Sequence, residues 1–145
     1  MLVENIMPRA RERLALIDMS ASIADAAQRM AVRESDILIV CNGAAIAGVI
    51  TKTDIIKLVN NGRPDFSAPL DAIMTRDLIT CRVSDVLVDV WSAMSDHRFQ
   101  RVPVLGDDLR PIGVVYARDA LQALLRDAEY EDQVLRAYVQ GVGYH

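Results

Sequence analysis

The sequence predicts an α/β (α+β) fold built from two β-α-β-β-α halves packed with pseudo-twofold symmetry. Three observations predict it. The second half of the chain restates the apolar and turn pattern of the first. Each half runs through strand-like and helix-like periodicity in one order. A stretch with Gly62, Pro64 and Pro69 separates the two.

The restatement is visible residue by residue. Asn5-Ile6-Met7-Pro8 resembles Ala72-Ile73-Met74-Thr75. Leu14, Ser20, Asp25, Met30 and Val40 return 64 residues later as Leu78, Ser84, Asp89, Met94 and Val104. Gly48-Val49-Ile50-Thr51-Lys52-Thr53-Asp54 returns 65 residues on as Gly113-Val114-Val115-Tyr116-Ala117-Arg118-Asp119, one residue having been added in the turn before Gly113.

Each half opens with a short extended stretch, residues 14–17 and 78–81. A helix follows. In the first half Ser22 and Asp25 stand at capping-box spacing, and Ile23, Ala26, Ala27, Met30 and Ala31 make one apolar face. In the second half Val86, Val90, Trp91 and Met94 do the same, with Trp91 read as core or dimer contact. Two strands come next. Residues 37–41 and 45–51 are joined through Asn42-Gly43, a hairpin signal. Residues 101–105 and 111–116 are joined through Gly106-Asp107-Asp108. A second helix closes each half, over residues 53–60 and from residue 118 to about 127. The expected division is 1–60 for the first repeat, 61–69 for the linker, 70–127 for the second repeat and 128–145 for a helical tail. A repeat of this size buries too little surface to be comfortable alone, so the two sheets are expected to share a core, with clefts where the halves meet.

Composition bounds the function. Hydrophobic residues make up 52% of the 145 and aromatic ones 5%, so the core is aliphatic. The net charge of -4 gives no basic field to concentrate nucleic acid. No apolar run reaches the roughly 18 residues of a membrane span, and no signal-peptide pattern opens the chain; the cytoplasm is the expected compartment. Cys41 and Cys81 fit no metal spacing and read as reduced core thiols. The two histidines, His97 and His145, have no motif around them, and no nucleophile stands beside a base.

Taken in order and twice, these pieces resemble the cystathionine-β-synthase (CBS) domain: an Ile-Met opening, a helix with Asp25-Ala26-Ala27-Gln28-Arg29-Met30, a strand with Val102-Pro103-Val104, and Gly48-Val49-Ile50-Thr51-Lys52-Thr53-Asp54 leading into a helix. The resemblance covers roughly residues 3 to 127. It implies a stand-alone tandem pair that dimerises, binds an adenosine-containing ligand (AMP, ADP, ATP, NAD or S-adenosylmethionine) and acts as a non-catalytic sensor in signal transduction. A homodimer, an adenine nucleotide and a regulated protein are the implied partners; nucleic acid and membrane are not. The alternative is a CBS scaffold that dimerises without ligand.

The physical reading of the motif agrees. Asp54, in the first helical turn, can accept two hydrogen bonds from a ribose diol. The helix N-terminus offers free N–H groups to phosphate, and Thr51 and Thr53 add hydroxyls. The same residues can simply cap the helix, or do both. From the second half the resemblance adds Thr80 and Arg101 to this cleft, next to Val102 and Pro103. The cleft built on Asp119 keeps Arg118 but has Tyr116 where Thr is usual, and Leu16 and Ile37 where its counterpart has Thr80 and Arg101. The two clefts are therefore expected to be unequal. Arg9, Arg11 and Arg13 read as a solvated basic loop, and His97 with Arg98 as cations at a helix end.

Overall fold

The computed structural model describes residues 1–140. The Gly141-Val142-Gly143-Tyr144 stretch lies outside them. The first half runs α1 (Met7–Glu12), β1 (Leu16–Asp18), α2 (Ile23–Arg33), β2 (Ile37–Asn42), β3 (Ala45–Thr51) and α3 (Lys52–Asn60). The second runs α4 (Leu87–His97), β4 (Arg101–Leu105), β5 (Pro111–Tyr116) and α5 (Ala117–Val139). In the first sheet β1 lies parallel to β2, and β2 antiparallel to β3; in the second, β4 and β5 are antiparallel.

Local chemistry accounts for the elements. Ser22 Oγ accepts from the Asp25 N–H at 3.1 Å while Asp25 accepts from the Ser22 N–H at 3.0 Å, closing a capping box on α2. The β2–β3 hairpin turns on Gly43, whose φ of +62° suits a residue without Cβ. Strand β2 is apolar from Ile37 to Cys41 because both its faces are buried there. Leu38 and Val40 meet Ile23, Ala26 and Met30 of α2, while Ile37, Ile39 and Cys41 face the other sheet through Val114 and Tyr116. Each such side chain fully buried contributes about 1.5–3 kcal/mol. The expected shared core between the sheets is thus present, flanked by one core under each helical layer.

The lead-in segments are exchanged. Val3, Ile6, Met7 and Ala10 belong to the core of the second half, and Leu70 and Met74 to that of the first. Two glycines in equivalent positions make the crossings possible. A Cβ on Gly48 would lie 2.7 Å from the Thr75 carbonyl oxygen, and one on Gly113 would lie 3.1 Å from Ala10. Thr75 also pairs with Val49 through two backbone bonds of 2.8 and 2.9 Å.

Two expectations need correction. Residues 78–81 do not form a strand: only Cys81 bridges, to Val104. In the first half Ile39 N–H donates to the Ala15 carbonyl at 2.8 Å. Its counterpart is Pro103, which has no N–H to give Ile79, so the ladder loses a rung. The last helix, expected to end near residue 127, continues to Val139. The residues that follow contain no Gly or Pro and include the good helix formers Ala128, Glu129, Glu131, Gln133, Leu135 and Arg136, and an Asp132–Arg136 ion pair of 3.1 Å supports the extension.

Candidate functional site

Thr51 ends β3 and caps α3. Its hydroxyl accepts from the Asp54 N–H at 3.3 Å and lies 3.1 Å from Asp54 Oδ2, which also accepts from the Thr51 N–H at 2.9 Å. Both contacts to the carboxylate use the same oxygen. The other, Oδ1, has no hydrogen-bond partner among the described residues. Thr53 is exposed on the same turn.

The second repeat departs from this at one residue. Tyr116 caps α5 but has no short hydroxyl to form a box, so Asp119 is not drawn into capping. Instead Asp119 meets Arg13 from the first half. Arg13 Nε donates to Oδ2 at 3.0 Å and an Arg13 terminal nitrogen to Oδ1 at 3.1 Å, a two-pronged pair, with Arg9 Nε at 3.9 Å. The Tyr116 ring, buried in the shared core, is ringed by guanidinium carbons: Arg13 at 4.2 Å, Arg101 at 5.0 Å and Arg118 at 5.3 Å from its centroid. An open surface depression of about 550 Å³ borders this group, lined by Arg9, Arg13, Arg118, Asp119, Gln122 and Leu125 among others.

Arg101 begins β4 opposite Tyr116, as Ile37 begins β2 opposite Thr51. Its guanidinium crosses the seam to Asp36, just before β2, at 3.0 Å, and Lys52 reaches the other oxygen of Asp36 at 3.2 Å. Burial pushes the Asp36 carboxyl up, but the contacts with Arg101 and Lys52 outweigh it and hold the group below its ordinary range. Arg101 Nε is buried with no hydrogen-bond partner among the described residues.

Of the residues singled out by sequence, the fold thus gathers Arg101, Tyr116, Arg118 and Asp119, and sets Thr51, Thr53 and Asp54 on the neighbouring helix start. Val102 and Pro103 are buried in β4. Thr80 is exposed and lines a cavity of about 360 Å³ with Ile79, Cys81, Val90 and Val102 of its own half; no hydrogen bond joins it to Thr51, Asp54 or Arg101 among the described residues. The reading of Arg9, Arg11 and Arg13 as a solvated loop is corrected: Arg9 and Arg11 lie on α1, and the Arg13 side chain is only 18% exposed. Sequence reasoning also passed over Asp36 and Lys52. A signal for Arg13 did exist. In the repeat register its counterpart is Asp77, so the charge reverses between halves while Asp54 and Asp119 stay the same.

Among the described residues no three His, Cys, Asp or Glu side chains gather as a metal site, and no helix is long and apolar enough to cross a membrane. What the arrangement offers is carboxylates and guanidiniums at the start of two helices, beside the seam between halves.

That architecture, two repeats with exchanged lead-in segments and an equivalent Gly-to-Asp run into the last helix of each, is matched twice by the family model for the CBS domain, over residues 3–61 and 70–126; the chain belongs to the CBS domain family. Among curated proteins it is similar to a mitochondrial CBS domain-containing protein, CBSX3, of Arabidopsis thaliana, 35% identical over 103 residues that cover 69% of this chain and 49% of that protein. The chain therefore spans about half the length of that relative. Among solved structures it is similar to the CBS domain pair of protein MJ0100 in complex with 5′-methylthioadenosine and S-adenosyl-L-methionine (TM-score 0.74, 25% identity, covering 86% of this chain and 99% of that one). A CBS domain protein of Pyrobaculum aerophilum, PAE2072, complexed with AMP, shares the fold (TM-score 0.73, 20% identity, covering 82% and 89%).

Proposed function

We propose that this chain is a non-catalytic regulatory module that binds an adenosine-containing ligand (AMP, ADP, ATP, NAD or S-adenosylmethionine) in the cleft built on Asp54. One observation carries the reading: Asp54 spends a single carboxylate oxygen on its helix cap and keeps Oδ1 for a ribose hydroxyl. The likeness to the MJ0100 pair, solved with two adenosine derivatives, supports the ligand class. Lys52 and Arg101, close by on Asp36, are the cations within reach of a phosphate. Thr51 and Thr53 supply hydroxyls, and Thr80 remains a candidate contact from the second half.

A second reading has an observation in its favour. Arg101 is already held by Asp36 and Asp119 by Arg13, as in a scaffold that keeps the fold for dimerisation and takes no ligand. Thermal unfolding with each of the five ligands separates the two. A ligand at 100 times its Kd should stabilise the protein by about 2.7 kcal/mol. The stabilisation should vanish in Asp54→Ala and fall about tenfold in affinity in Arg101→Ala. No shift with any ligand would leave the scaffold.

A further inference from the structure

We propose that Arg13 is an internal plug of the Asp119 cleft: its guanidinium holds the carboxylate that a ribose diol would need, and ligand enters there only by displacing it. The inference rests on reading the motif aspartates as ribose acceptors.

The geometry is that of a made pair. Both Asp119 oxygens are engaged, at 3.0 and 3.1 Å, by two nitrogens of one planar fork. The two side chains are 18% and 13% exposed, so water screens the contact only in part. The Tyr116 ring holds the guanidinium from another side at 4.2 Å. The pair borders an open surface depression of about 550 Å³ between α1 and α5.

The delivery of Arg13 is built into the chain. Between Met7 and Leu14 the first half has three more residues than the second has between Met74 and Leu78. The extra length forms α1, which has no counterpart after Met74. Ala10 of α1 is seated against Gly113 of β5, and Arg13 follows directly on the helix. In the other half the residue in the same repeat register is Asp77, and a carboxylate cannot pair with Asp54 as Arg13 pairs with Asp119. One aspartate is thus neutralised from within and the other is not.

Calorimetry with AMP and ATP tests the plug. Wild type should take one ligand per chain, Arg13→Gln two, and the double variant Arg13→Gln/Asp119→Ala one again. The new site should gain about tenfold or more in affinity over wild type. Should Arg13→Gln fold poorly, Arg13→Lys keeps the charge and loses the fork, and should open the site more weakly. Two sites in wild type, or one in both wild type and Arg13→Gln, overturns the plug and leaves the Asp54 reading standing. No site in wild type and one in Arg13→Gln supports the plug and sinks the Asp54 reading. No binding to either sinks both. A ligand-free check is a double-mutant cycle in urea with Arg13→Gln and Asp119→Asn: the losses should be non-additive, and additive losses overturn the plug.

Discussion

Asp36 of the first repeat and Arg101 of the second are joined at 3.0 Å across the seam between the two sheets, with Lys52 on the other oxygen of Asp36 at 3.2 Å. The pair links the start of β4 to the start of β2, and Lys52 adds the start of α3, so the two halves are coupled at the edge of the proposed cleft.

The acid side of the stability curve should report this contact. Although burial raises it, the Asp36 carboxyl is held below its ordinary value of 3.8 by Arg101 and Lys52. A group depressed in the folded state stabilises above the unfolded pKa, and that contribution is lost as pH falls through the folded pKa. Urea unfolding of wild type and Asp36→Asn should differ most near neutral pH and converge as the pH drops below 3.8. A gap that stays constant down the acid limb would show that Asp36 makes no such contribution.

Gly48→Ala should be a costly single-methyl change. The added Cβ would sit 2.7 Å from the Thr75 carbonyl oxygen, a backbone atom held by its own pairing with Val49. The sheet or the crossing segment must shift, at about 1–3 kcal/mol. Gly113→Ala meets Ala10 at 3.1 Å and should cost less. The urea midpoints of the two variants settle the order, and a Gly48→Ala protein as stable as wild type would contradict the close crossing.

Native thiols should resist alkylation and Ellman's reagent at neutral pH. Burial, with Asp85 adding to it, pushes Cys81 up to about 12, and burial with Asp18 raises Cys41. The thiolate is the reactive form, so both should stay silent until denaturant exposes them. Rapid labelling of either in folded protein would refute the placement.

A homodimer is the expected state in solution. Ile55, Leu58 and Leu124 are packed on the cores, but Ile56 and Val59 on α3 and Leu121 and Leu125 on α5 stay exposed. Apolar residues clustered on two helix faces point to an interface. Light scattering at micromolar concentration should give twice the 16.0 kDa chain mass, and charges placed at Ile56 and Leu125 should split it. A species of single-chain mass alone would rule the dimer out.

Periodicity and groups a few residues apart make the two repeats, most of their elements, the capping box at Ser22 and the hairpin at Gly43 legible in the sequence; α1 reads there as a loop, and the strand expected at 78–81 is absent. The sequence also marks Asp54 and Asp119 as equivalent. Only the tertiary structure decided that they differ in partner. Arg13 and Asp119 are 106 residues apart, and Arg101 and Asp36 are 65 apart. Which guanidinium meets which carboxylate depends on the exchange of the lead-in segments, on α1 aiming Arg13, and on Tyr116 failing to draw Asp119 into a cap. An ion pair is chosen by where folding brings two charges, and local spacing carries no record of that.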